Sequence, residues 1–164
     1  MSETFRIRDG IAQLFRKDSE CRDDIDKFIK IGKEALFAGI SKAKSGNRVG
    51  DVSKAIQEIV EGSGYSIVRS LVGHGVGEEL HEEPEIPGYL KGSIELTPML
   101  TEGMTIAVEV IYNKGKSTVS YSEEDDWTIV TSDGSDSGLF ERTILIKSGT
   151  PEILTKLSGD DFSI

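Results

Sequence analysis

Both histidines of the chain fall in one glycine- and proline-marked stretch. His74 stands within Gly73-His74-Gly75-Val76-Gly77, where flanking glycines let the backbone bend tightly and clear bulk from around the imidazole. His81 follows seven residues on, in Leu80-His81-Glu82-Glu83-Pro84. Two glutamates stand where carboxylates are rare, Glu109 in Ile106-Ala107-Val108-Glu109-Val110-Ile111 and Glu141 in Leu139-Phe140-Glu141-Arg142-Thr143-Ile144. A carboxylate in a buried strand must be paired, protonated or metal-bound, because burying it bare is costly. One imidazole and two such carboxylates form a donor set for a divalent ion of the Mn, Fe, Co or Zn type. The intervals are 35 residues from His74 to Glu109 and 32 from there to Glu141, so the three lie on different elements that a sheet would have to gather. Spacing alone does not establish that gathering. Strand alternation would equally allow each glutamate a solvated face, and a lone histidine is often structural or a surface group.

The elements that must position these groups are legible as periodicities. Ile25, Phe28, Ile29, Leu36 and Ile40 recur at mostly three- and four-residue steps, which predicts a helix over Ile25–Lys44 with one buried face. Asp23, Asp24 and Asp26 favour its positive end, Lys42 and Lys44 its negative end, and Gly46 stops it. Val49, Val52, Ile56, Ile59 and Val60 predict a second helix ending at Gly62 or Gly64. Tyr65–Val68 reads as a short strand. Residues 73–92 read as a polar loop, and 104–112, 127–131 and 139–147 as strands separated by glycine turns. Two helices followed by strands predict an α+β layer, with helices packed on an antiparallel sheet. The expected division is an N-terminal segment 1–23, a domain 24–156, and a fraying acidic tail 157–164. Within segment 1–23, Phe5, Ile7, Ile11, Leu14 and Phe15 offer apolar surface without a clean period.

Composition removes several classes of function. The 164 residues include 19 Lys plus Arg against 29 Asp plus Glu, a formal charge of −10, with no basic cluster. That balance disfavours a nucleic-acid partner. The single cysteine, Cys21, excludes an internal disulfide and paired-thiolate metal sites and reads as an ordinary thiol. No run approaches the roughly 20 apolar residues of a membrane span, and Met1–Arg6 has no apolar signal core, so the expected compartment is the cytoplasm. There is no GxSxG elbow or phosphate loop, and the Gly73-x-Gly75-x-Gly77 spacing is not that of a dinucleotide site. Glu123-Glu124-Asp125-Asp126 reads as a solvated turn, without the spaced ligands of a calcium loop.

As an ordered set, these motifs resemble the methionine aminopeptidases. Gly73–Gly77 followed by His81-Glu82-Glu83-Pro84 is similar to that family's metal-histidine loop. Leu100–Glu109 resembles its next glutamate strand, and Asp126-Trp127-Thr128, Ser132–Ser135 and Phe140–Thr143 resemble its closing segment. The resemblance runs from about Asp24 to Thr155, and the short interval between His74 and Glu109 is that of type I enzymes. It implies a pita-bread fold, in which two pseudo-symmetric αβ halves hold a dinuclear centre of cobalt, manganese, iron or zinc. Of five usual ligands, His74, Glu109 and Glu141 would be the last three. The resemblance makes His81 a catalytic and substrate-contacting histidine and Trp127 an aromatic beside the methionine pocket.

Departures accompany the likeness. The family's two aspartate ligands have no counterpart, and Met1–Phe5 resembles the segment just after the second. The chain is therefore expected to be the C-terminal half of the fold, with one metal ion or none. Val110 replaces a proline, Leu80 an aromatic of the substrate pocket, and Arg142 a histidine beside Glu141, where an ion pair would compete with metal. Three readings follow. The first is removal of N-terminal methionine from nascent polypeptides by metal-activated water, impaired in the isolated chain. The second is a non-catalytic binding module, a homodimer or the partner of a separate N-terminal half. The third is a truncated product that folds poorly. Aminopeptidase P and prolidase, which share fold and ligand order, resemble the closing segments less well.

Overall fold

In the computed structural model of the protein, residues 6–8, 11–13, 19–123, 125 and 127–156 are described, with side chains from Asp23 onward. The expectations for the Cys21 thiol, for most of segment 1–23, for Glu124 and Asp126 and for the 157–164 tail lie outside these residues.

The chain runs β1 (Arg6–Arg8), β2 (Ile11–Gln13), α1 (Ser19–Lys42), α2 (Val49–Gly62), β3 (Ser66–Ile67), β4 (Gly73–Gly75), β5 (Glu82–Ile86), β6 (Thr105–Asn113), β7 (Val119–Tyr121), β8 (Ile129–Thr131), β9 (Ser137–Leu145) and β10 (Glu152–Ile153). Both predicted helices are present, α1 starting six residues earlier than its apolar period suggests. At the start of α2 the Asp51 carboxylate accepts the Arg48 backbone N–H at 2.8 Å, satisfying a donor that the helix leaves open.

β10, β9, β6, β4 and β5 lie side by side in that order, and β3 pairs with the far end of β6, all antiparallel. The long β6–β9 ladder fixes which side chains face where. Ile106, Val108, Val110 and Tyr112 of β6 and Phe140 and Ile144 of β9 point to one face. There they meet Phe28, Leu36 and Ile40 of α1 and Val52, Ile56 and Val60 of α2 in one buried core. Full burial of a side chain of this size contributes about 1.5–3 kcal/mol each before ordering entropy is counted. Tyr112 Oη donates to the Phe28 carbonyl, tying sheet to helix. The alternate residues of β6 and β9 face away from the helices.

Residues 73–92 are not a loop throughout: β4 and β5 lie within them. Glycine and proline are poor strand formers, so the local signal was that of a loop. Pairing with β6 overrides it, because Gly73 and Gly75 let the β4 backbone lie closer to its neighbours than a side chain allows. A Cβ at Gly73 would lie 3.2 Å from Glu109 N and closer still to Ala107 O. No helix among the described residues is long and apolar enough to cross a membrane.

Candidate metal centre

The face of the sheet turned away from the helices carries the ionisable groups. In register, His74 of β4 is opposite Ala107 of β6, two residues along β6 is Glu109, and Glu109 is opposite Glu141 of β9. Partners across an antiparallel ladder point to the same face, so three adjacent strands each place one donor on one spot. A donor atom from each of His74, Glu109 and Glu141 lies within 4.8 Å of the other two. The solvated alternative holds only for Glu141, which is exposed; the His74 and Glu109 side chains are 12% and 14% accessible.

His74 Nδ1 lies 2.8 Å from the Gly75 carbonyl. That oxygen can only accept, so Nδ1 carries the hydrogen, and in the neutral imidazole Nε2 presents its lone pair to the cluster. Nε2 lies 3.5 Å from Glu109 Oε1. Two ligands at bond lengths near 2.1 Å around a single ion stand about 3.0–3.4 Å apart, so this gap needs little adjustment. Burial, and then the neighbouring Glu141 charge, push the Glu109 carboxyl up to about 7, while His74 pulls the other way. Two carboxylates side by side with an imidazole, and no Lys or Arg paired with them among the described residues, fit a divalent ion by charge and by donor type. Arg142 points to the opposite face of β9, where it is buried and its Nη1 donates to the Glu141 main-chain carbonyl at 2.6 Å.

His81 joins the cluster: its ring centroid is 4.2 Å from that of His74, at 53° between planes. It lies at the end of the β4–β5 turn and is exposed on the side of the donors. Trp127 stands 82% exposed just before β8, its backbone N–H on Asp125 Oδ1 at 3.1 Å. The described contacts do not join it to the three donors. Leu80, beside His81, is 69% exposed. No motif in the sequence marks Gly77 and Glu82 as working residues. They meet across the turn that carries His81, and only their five-residue interval could have drawn attention to them.

The chain matches Metallopeptidase family M24 over residues 14–147. It is 45% identical over 136 residues to a methionine aminopeptidase of Clostridium acetobutylicum, covering 83% of this chain and 53% of that protein. Against methionine aminopeptidase 1 of Bacillus subtilis it is 42% identical over 135 residues, covering 82% and 52%. The crystal structure of methionine aminopeptidase from Thermotoga maritima superimposes with a TM-score of 0.75 at 45% identity, covering 80% of this chain and 52% of that one. The chain thus spans about half the length of the curated relatives it matches.

Proposed function

The chain belongs to metallopeptidase family M24, and from that premise we propose that its open sheet face holds a divalent ion in a site that removes methionine from the N-termini of nascent polypeptides. The observation that carries the reading is the cross-strand pair Glu109 and Glu141 with the His74 Nε2 lone pair aimed at it. His74, Glu109 and Glu141 would hold the ion, of the cobalt, manganese, iron or zinc type. A divalent ion there supplies Lewis-acid polarisation of a peptide carbonyl and an acidified water. Glu109, titrating near neutrality, can take up and release a proton at its carboxylate within the working pH range. His81, exposed beside His74, is placed to donate a hydrogen bond to the substrate carbonyl. Trp127 would flank the methionine side chain. The proposed compartment is the cytoplasm, without nucleic-acid or membrane partners.

Three donors make a weak mononuclear site rather than a dinuclear one. The 164-residue chain assayed alone is therefore expected to bind one equivalent of Mn²⁺ or Co²⁺ and to release little or no methionine from a Met-Ala-Ser peptide. Absence of metal binding, tested by calorimetry, would remove the reading; robust methionine release would overturn the expectation of impairment. A second reading, a binding module that pairs with another copy or with a separate N-terminal half, is favoured by the exposed apolar side chains of Leu80, Trp127 and Leu139.

A further inference from the structure

We propose that Glu82 is a positioning residue that fixes His81 against His74, and that position 77 is glycine in order to admit the Glu82 carboxylate. The inference deepens the reading above, since it rests on His81 being the group that meets substrate. Among the described residues no hydrogen bond reaches the His81 ring, so its place over His74 is set by the backbone that carries it. That backbone is a tight return. Val76 N–H donates to Thr105 O at 2.9 Å as the chain leaves β4, and Gly77 N–H donates to Glu79 O at 3.1 Å. Glu82 then re-enters the sheet opposite Gly75.

The Glu82 side chain folds back into the turn that it closes. Its Oε1 accepts the Glu79 backbone N–H at 2.9 Å. Its carboxylate lies over the Cα of Gly77: a Cβ there would be 2.7 Å from Oε1, 2.8 Å from Cδ and nearer still to Oε2. One carboxylate thus ties the middle of the turn to its last residue, and His81 is the residue immediately before the tie. The atoms that a Cβ at Gly77 would meet first all belong to the Glu82 carboxylate, the free end of a flexible side chain. A methyl at 77 would therefore expel the carboxylate and leave the sheet in place.

The chain contains two histidines, so a cross-peak between imidazole protons can come only from this pair. The test is the nuclear Overhauser cross-peak between the two rings in the metal-free 164-residue chain. Wild type is expected to show it. Glu82→Ala and Gly77→Ala are expected to lose it while the amide spectrum of β6 and β9 is unchanged. Glu82→Gln should keep it, because the side-chain amide oxygen still accepts the Glu79 N–H. A cross-peak that survives in folded Glu82→Ala or Gly77→Ala, or that vanishes in Glu82→Gln, overturns the proposal. Should Glu82→Ala fail to fold, Gly77→Ala carries the same test. Zn²⁺ affinity, measured by calorimetry, should be equal in all four proteins, since none alters a donor. If wild type binds no Zn²⁺ the metal reading falls, and the ring contact still decides the role of Glu82.

Discussion

Glu109 and Glu141 face each other across β6 and β9, and a like-charged pair directly opposite is a destabilising cross-strand choice. Among the described residues the basic group beside Glu109 is the His74 imidazole, at 3.5 Å, and the Arg142 guanidinium reaches back to the Glu141 main-chain carbonyl. A cation between the carboxylates turns this repulsion into attraction. Removing one carboxylate should therefore have opposite effects with and without metal. Glu109→Gln is expected to raise the stability of the metal-free chain by roughly 0.2–1 kcal/mol, the range of a cross-strand charge pair. It should also abolish measurable Mn²⁺ binding. Urea unfolding in chelator checks the first and calorimetry the second. A variant that is less stable without metal, or that binds Mn²⁺ as well as wild type, would mean that Glu109 is an ordinary structural carboxylate.

At the scale of elements, the strands that carry the donors are held in register partly by the turns at their far ends. Asp133, between β8 and β9, accepts the Lys116 backbone N–H at 2.7 Å, and from Ser135 the backbone N–H at 3.2 Å and the hydroxyl at 2.7 Å. These donors hold its carboxyl down to about 2, the Lys116 N–H contributing most. A carboxyl lowered on folding stabilises the fold above its ordinary value of 3.8 and loses that contribution as pH falls through about 2. Asp133→Asn is expected to be less stable than wild type at neutral pH and to lose less stability between these two values, followed by thermal melts across that range. Identical acid profiles would rule the turn out. What was legible in the sequence follows the same division. The apolar periods of α1, α2 and β9 stand out because each buries one face, and β6 stands out as a run buried on both. β4 did not, because the close approach of Gly73 to β6 and of Gly75 to β5 leaves no side-chain signal there, and β5 is broken by a proline. The donor types were readable, but their meeting was not. A register slip of one residue between β6 and β9 would turn Glu141 toward the helices and destroy the cluster, and nothing local in either strand records that register. Glu82 was hidden for a similar reason, since its partner is the missing side chain of Gly77.

Across the whole molecule, one face of the sheet is buried by two helices, and the other presents the donors together with uncovered apolar groups. Leu139 is on the same side of β9 as Glu141, Leu80 adjoins His81, and Trp127 is almost fully exposed. Leu139 and Leu80 thus leave apolar surface beside the donors, and an exposed apolar patch next to a functional cluster marks an interaction site. The matched part of the chain covers only about half of each relative. Two opposing effects then govern association. Burial of Leu80, Trp127 and Leu139 favours it, while a net charge of −10 on each copy resists it and is screened by salt. We therefore expect light scattering of the 164-residue chain at micromolar concentration to show a dimer whose fraction rises with added NaCl, and Trp127→Ser with Leu139→Ser to shift it to monomer. A dimer that weakens with salt would mean that ion pairs, not this face, hold it together. A clean monomer at every salt concentration would show that the apolar groups are left for a different polypeptide, and mixing with the N-terminal half of the Clostridium acetobutylicum enzyme would then be the decisive pairing experiment.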